Sequence, residues 1–402
     1  KIILYFCAFF QLILYVIIVK DLHALKKEDC FARRSSAMLC ITKELDEKIE
    51  RIEYTGYEKD EVVFFDIETT GFSPETTVLY MIGCIYCQQD RLICTQWFAE
   101  NKDSQKEVLI AFMEFISNYK LLICYNGMGF DIPYLQKKCH MYRLSYNLEQ
   151  SRVLDIYKQI QPFRSVLHIP NLKQKSIELF LGINREDRYN GGELIEIYLK
   201  YLENHSGEYM NLLTLHNRED LIGMTRLLPM LSYKLTCNGG FYIEDIQKIS
   251  YNSPDRAPGT EVTFLLHLSC SVPKRISFGN ESAFFSMYDA AAALTVKAHT
   301  DELKFFYPNY KDYYYLPQED TAIHKSVAFY VDKNFRTRAK AANCYSKKTG
   351  CFLPQYDEVI KPYFKIDYYD KITYFEFTDD FKSNNESVKK YILHIINSII
   401  RQ

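Results

Sequence analysis

Short apolar runs bounded by turn signals alternate with stretches of helical spacing through the first half of the chain. The runs Glu61–Asp66, Val78–Cys87, Leu92–Ala99, Leu121–Tyr125 and Val153–Ile156 are rich in apolar, β-branched and aromatic residues and have strand length. Apolar positions recurring every three or four residues predict helices over about Ser104–Asn118, Ile132–Cys139, Leu172–Leu181, Gly192–Glu203 and Tyr209–Leu231. In the last of these, Leu212, Leu215, Leu221, Met224, Leu227 and Leu228 make one stripe. Three consecutive strands followed by alternating helix and strand predict an α/β domain with a mixed five-stranded sheet flanked by helices. After residues 236–240 the composition shifts. Alternating stretches such as Val262–Leu268 and a high density of tyrosine predict a second, β-rich domain ending in a helix near Ser387–Ile400. The expected organisation is an apolar and basic segment at 1–37, an α/β domain at 38–235, and a β-rich domain of unassigned role at 241–402.

Four acids stand at informative places in this pattern. Asp66 and Glu68 follow the apolar run Val62–Phe65 and precede the turn signal Thr69-Thr70-Gly71. Residues two apart on a strand share a face, so both carboxylates project together where the strand ends. Side-by-side carboxylates in an apolar setting repel, and a bound cation relieves that cost. An isolated Asp-x-Glu more often opens a solvated loop; the flanking strand and turn favour the paired reading. Asp131 closes a loop with Asn126, Gly127 and Gly129 and stands before Ile132-Pro133, where proline suits a first helical turn. Taken alone, Asp131 reads better as a helix cap. His216 and Asp220 are four apart in the long helix and share a face. Asp155 ends the fifth strand and reads equally as support for the acids or as a plain strand end.

Together these motifs resemble the DEDD 3′–5′ exonucleases of the ribonuclease H-like (DnaQ-like) superfamily over residues 61–232, most nearly their YprB-like bacterial branch. The resemblance rests on Asp66-Ile-Glu-Thr-Thr-Gly71, on Asn126-x-x-x-Phe130-Asp131, on His216-x-x-x-Asp220, and on Asn171–Ser176 with Gly191-Gly192-Glu193. It implies that Asp66, Glu68, Asp131 and Asp220 are ligands of two divalent ions, and that His216 orients or deprotonates the attacking water. Members of that family carry either Tyr with three residues before the last Asp or His with four; this chain has His with the shorter, Tyr-type gap. Oxygen ligands favour Mg²⁺ or Mn²⁺ over zinc, and imidazole suits proton transfer near neutrality. The implied substrate is DNA or RNA with a single-stranded 3′ end, without a nucleotide cofactor. Asn126 and Asp155 are candidate supports for the ligands. Thr69, Thr70, Phe72, Lys173 and Lys175 are candidate nucleic-acid contacts.

Composition narrows the picture only a little. The chain has 402 residues, 48% hydrophobic and 25% charged, with a net charge of −2, so any grip on nucleic acid is local. Lys333, Arg336, Arg338, Lys340, Lys347 and Lys348 form an acid-free basic stretch near tyrosines; it reads equally as a phosphate track and as a solvated loop. The twelve cysteines are scattered. Cys84 and Cys87 lack a second pair for a zinc site and read as reduced core thiols; Cys344 and Cys351 form a looser pair. Ile2–Val19 is apolar except for Gln11, at the lower limit for a membrane span, with no small-residue cleavage site. As an anchor it would leave the following domain in the cytoplasm, held by Lys20, Lys26, Lys27, Arg33 and Arg34. The favoured expectation is instead a cytoplasmic protein starting near Met38, with residues 1–37 a non-native extension. The sequence thus predicts a metal-dependent nuclease. Alternatives are a nucleic-acid-binding module without turnover and a structure-specific endonuclease.

Overall fold

The structure is a computed structural model and describes residues 30–35, 38–185, 189, 191–253 and 256–400. The anchor expected at residues 2–19 lies outside them, as does the extension expected at 1–37 except for Cys30–Ser35. Among the described residues no helix is long and apolar enough to cross a membrane. They divide into two compact units: one runs to Ile156 and adds Ile183–Arg226, and the other comprises Tyr157–Gly182 and the residues from Leu227 onward.

The strands of the first unit are β1 (Cys30–Ser35), β2 (Met38–Leu45), β3 (Val62–Thr69), β4 (Leu79–Gln88), β5 (Arg91–Ala99), β6 (Leu121–Cys124) and β7 (Val153–Asp155). They form one mixed sheet in the order β1-β2-β5-β4-β3-β6-β7, in which β6 runs parallel to β3 and to β7 and every other pairing is antiparallel. All five expected strands are present. The sheet has seven rather than five because β1 and β2 add a hairpin at the β5 edge. The longer helices, in chain order, are α1 (Gln105–Ile116), α2 (Asp131–Met141), α3 (Gln174–Leu181), α4 (Gly191–Asn204), α5 (Gly207–Thr225), α6 (Leu231–Cys237) and α7 (Asn385–Ile400).

Alternation along β3 and β4 sorts side chains onto two faces. Val63, Phe65, Ile67, Ile82 and Cys84 pack with Val108, Leu109 and Phe112 of α1. Tyr80, Met81 and Phe98 pack with Leu194, Tyr198 and Tyr201 of α4 and Leu213 of α5. The expected single helix over Tyr209–Leu231 is interrupted. α5 ends at Thr225, and a short 3-10 turn, Leu228–Met230, leads into α6. Pro229 causes the break, since it lacks an N–H and its ring collides with the preceding helical turn.

The second unit is β-rich, as expected, and holds α3, α6 and α7. β8 (Phe241–Ser253), β9 (Arg256–Gly279) and β10 (Ala283–Ala298) form an antiparallel meander. α7 lies within this unit, with Tyr391 in ring contact with Phe264 and Phe375. Smaller ribbons follow. β11 (Glu302–Phe306) pairs with β15 (Tyr345–Thr349), and β12 (Tyr313–Leu316) lies between β13 (Thr321–His324) and β14 (Thr337–Arg338). β16 (Phe352–Gln355) pairs with β17 (Thr373–Glu376).

Candidate metal centre

Asp66 and Glu68 sit on β3, which continues through Thr69 instead of ending at Asp66. Asp66 lies opposite Gly83 of β4, which lies opposite Gln96 of β5. Asn217 of α5 settles over this row. Its Nδ2 donates to Asp66 Oδ2 at 3.0 Å, and its Oδ1 accepts from Gln96 Nε2 at 2.9 Å. Gln96 Nε2 also donates to the Thr214 carbonyl at 2.9 Å. Gly83 permits the approach, because a Cβ there would stand 1.9 Å from Asn217 Oδ1 and 2.7 Å from Leu221 Cδ1. Glu68 Oε2 accepts from the Tyr80 hydroxyl at 3.3 Å, and the Tyr80 ring stacks on Tyr198 at 4.3 Å between centroids.

Asp131 reaches the same place from the neighbouring strand. Its carboxylate is buried, and its own backbone N–H and that of Ile67, the residue between Asp66 and Glu68, favour the ionised form. It is the first residue of α2 and not its cap: Phe130 occupies the N-cap position, with no side-chain cap bond. The capping role favoured for the isolated residue is not taken, and the carboxylate instead lies close enough to Asp66 and Glu68 to act on both. The loop before α2 is held by Asp155, which is fully buried and accepts the N–H of Asn126 at 2.8 Å and of Met128 at 3.1 Å. Asn126 adopts a left-handed backbone (φ 60°). At Gly127 a side chain would collide with Cys124 Sγ and crowd Asp131 Oδ2. Asp155 therefore positions the Asp131 loop.

α5 supplies the remaining groups. His216 Nε2 lies 3.1 Å from Asp220 Oδ2 and 3.7 Å from Glu68 Oε1, and the Arg185 guanidinium pairs with Asp220 Oδ1. Burial and the fields of Glu68, Asp131 and Asp220 hold the Asp66 carboxyl well above the ordinary carboxylate range. Burial, opposed in part by His216, pushes Glu68 up to about 7. Burial likewise pushes Asp131 up to about 7, against the backbone N–H groups it accepts. Asp220 runs the other way: burial would raise it, but His216 and Arg185 prevail and hold it low.

Whether the residues fit a divalent ion can be read from Glu68. Its Oε1 is buried and has no hydrogen-bond partner, and such an atom costs stability unless something satisfies it. Glu68, His216 and Asp220 each offer an atom within 4.8 Å of the others. The oxygen-rich donor set, with repelling carboxylates and an orphaned acceptor, suits a hard divalent cation.

Other sequence candidates fall in different places. Thr69 Oγ1 donates to the Gly71 carbonyl, and Thr70 Oγ1 accepts the Val78 N–H, so both shape the turn after β3. Phe72 is 88% exposed and meets the Phe130 ring edge-on at 5.8 Å. Lys173, Lys175, Arg336, Arg338 and Lys340 belong to the second unit. Cys84, Cys87, Cys344 and Cys351 are free thiols. Asn217, Gln96, Gly83, Tyr80 and Arg185 escaped the sequence reading. Only Gly83 carried a local signal, a glycine within an apolar strand, which marks close approach of another element.

Residues 63–232 match the model of the family described as RNase_H_2, of the RNase_H superfamily. They form a ribonuclease H-like domain. Among solved structures, the family B DNA polymerase from the hyperthermophilic archaeon Pyrobaculum calidifontis is similar at 15% identity and a TM-score of 0.35, over 44% of this chain and 25% of that one. E. coli exonuclease I in complex with a dT13 oligonucleotide is similar at 10% identity and a TM-score of 0.29, over 51% of this chain and 54% of that one. The zinc-bound form of the E. coli exonuclease I–ssDNA complex gives 11% and 0.26, over 52% and 55%. The similarity thus spans from a quarter to about half of those chains. No curated protein matches the chain. The ribonuclease H-like domain contains every acid of the candidate centre.

Proposed function

We propose that the protein is a metal-dependent nuclease, and specifically a 3′–5′ exonuclease acting on a single-stranded 3′ end of DNA or RNA. The observation that carries this reading is the meeting of Asp66, Glu68, Asp131 and Asp220, from three separate stretches of chain, beside a buried Glu68 Oε1 that accepts no hydrogen bond. In this reading the four carboxylates hold two divalent ions, Mg²⁺ or Mn²⁺. Such ions, when bound, acidify water and stabilise charge on the phosphate and its leaving oxygen. Asn217 fixes the face that Asp66 presents, and Tyr80 does the same for Glu68. Asp155 holds the loop that delivers Asp131. His216 serves as the base towards the attacking water; its Nε2 donates to Asp220 in the absence of metal, so it takes the proton only once that hydrogen bond is released. Phe72, exposed beside Phe130, offers a face for the terminal base. The polarity and the DEDD type rest on the sequence resemblance.

The test is a cleavage assay of the full chain on end-labelled single- and double-stranded DNA and RNA, with Mg²⁺, Mn²⁺ or EDTA. Expected is stepwise shortening from the 3′ end, lost in EDTA and in Asp66→Ala. Internal cuts at junctions or flaps would make it an endonuclease, and binding without cleavage under every metal would reduce it to a binding module.

A further inference from the structure

The second unit contains a groove of about 1110 Å³ made almost wholly by residues 305–310 and 361–369. Phe305, Phe306 and Tyr307 line one side from the end of β11, with Tyr310 beyond them. Tyr363, Tyr368 and Tyr369 line the other. Seven of its twelve lining residues therefore carry an aromatic ring, two more are Lys361 and Lys365, and none is acidic. The nearest acids in sequence are already engaged with their own surroundings. Asp367 and Asp370 accept backbone N–H groups within the turn 367–370, and Glu358 bonds the Tyr363 hydroxyl. Lys365 Nζ donates to the Tyr368 carbonyl and still lines the groove.

We propose that this groove binds single-stranded nucleic acid, with bases stacked on its tyrosines and phosphates drawn to Lys361 and Lys365. The substrate class deepens, and rests on, the nuclease reading above. Three observations select this occupant. Two rings are open to solvent, Tyr369 at 83% exposed and Tyr310 at 37%, and the other five are half-buried beside them. Charge complementarity calls for an anion, since the lining carries lysines without a carboxylate. The groove is open along one side and has room for more than one base. Aromatic platforms beside cations are the usual means of holding single strands without sequence preference. A proline-rich peptide also docks on aromatic grooves, but it would leave the two lysines without a role.

The basic segment at 333–348 that stands out in the sequence contributes only Ala341 to the lining. Arg336 and Arg338 instead lie over the Tyr314 ring, at 4.9 and 4.8 Å from its centroid.

The experiment uses the full chain carrying Asp66→Asn, so that substrate survives. Fluorescent dT and U oligonucleotides are titrated alongside a proline-rich peptide, and iodouracil-substituted oligonucleotides are photo-crosslinked and mapped by mass spectrometry. Expected are crosslinks at Tyr310, Tyr363, Tyr368 or Tyr369. Tyr369→Ala, at a solvent-exposed side chain, should weaken oligonucleotide binding about fivefold or more, the low end for one lost stacking platform. Lys361→Glu with Lys365→Glu should weaken it further and flatten its salt dependence. The DNA and RNA arms show which sugar is preferred. Oligonucleotide binding unchanged by these substitutions, crosslinks confined to other regions, no binding at all, or capture of the peptide alone would each overturn the proposal. Wild-type cleavage is measured in parallel. Cleavage with an indifferent groove removes this site only, whereas groove binding without cleavage removes the nuclease reading only.

Discussion

The two units handle concentrated charge in opposite ways. In the ribonuclease H-like domain, acids far apart in sequence are brought together, and three of them are pushed towards protonation by burial, two of these also by their fellow acids. In the second unit, a basic stretch that looks uncompensated in sequence is compensated in space at its end. Lys347 pairs with Asp320 at 2.5 Å and Glu302 at 3.3 Å, Lys348 pairs with Glu376 at 2.6 Å, and two arginines lie over Tyr314. A window of like charge along the chain is therefore a poor guide to a field in space. Like charge that remains crowded after folding is costly, and such groups cluster where chemistry is done.

The largest effect should come from relieving that crowding. Asp66→Asn keeps size and shape but removes a carboxylate that the proposed function makes a ligand, so turnover should fall on the order of 10³-fold or more, beyond the loss of a single preorganised donor. The same change should raise the melting temperature in EDTA at pH 8, because ionised Asp66 is disfavoured by burial and its neighbours. Loss of activity with an equal loss of metal-free stability would mean that Asp66 is a structural residue.

Divalent ions and pH should act together. Glu68 and Asp131 ionise near 7 in the folded, metal-free protein, against 4.5 and 3.8 when unperturbed. Raised carboxylates favour the folded state while protonated. That advantage fades as pH rises from the unfolded value through the folded one. Without metal, the domain should lose stability from about pH 4 up to just above 7. Mg²⁺ should restore it chiefly above pH 7, by about 2.7 kcal/mol at a hundredfold excess over its Kd. Thermal melts at pH 5 and 8 check this, and an equal Mg²⁺ effect at both would sink it.

Gly83→Ala probes the scaffold of the same site. A Cβ cannot lie 1.9 Å from Asn217 Oδ1 and 2.7 Å from Leu221 Cδ1, so α5 must move. The expected cost is about 1–3 kcal/mol, as for other overpacked cores, with a fall in turnover as His216 and Asp220 shift. Adding Asn217→Ala should recover part of the stability but not the turnover, because Asp66 then loses its donor. A double-mutant cycle reads both terms.

What the sequence conveyed follows from how local each signal is. β3 through β7 were legible because buried strands are continuous apolar runs, and Asp66, Glu68, His216 and Asp220 because strand and helix periods assign each pair to one face. β1 and β2 were missed. Cys30–Ser35 carries two arginines in six residues, which breaks up any apolar run. Asn217, Gln96 and Arg185 act through contacts across long separations in sequence, which no periodicity encodes. The aromatic groove was invisible for the same reason, since its two sides lie some fifty residues apart.

The smallest expected effect tests the compensated region. Asp320 Oδ1 accepts from the Tyr315 hydroxyl at 2.7 Å and from the Tyr345 hydroxyl, while Oδ2 faces Lys347. These partners, Lys347 foremost, hold its carboxyl well below the ordinary range. A depressed carboxylate contributes stability above its unfolded pKa and loses it as pH falls through the folded value. Asp320→Asn should therefore cost stability at pH 7, and the difference from wild type should shrink in strong acid. The side chain is 41% exposed, so solvent screening limits the cost to about 0.2–1 kcal/mol. High salt should erase much of it. Denaturant midpoints at pH 7 and in strong acid, each at low and high salt, resolve an effect of this size. A larger loss that ignores both salt and pH would show that the two tyrosine hydroxyls, not Lys347, dominate the site. The contrast between a crowded centre and a paired one would then rest on hydrogen bonding in the second unit and on charge only in the first.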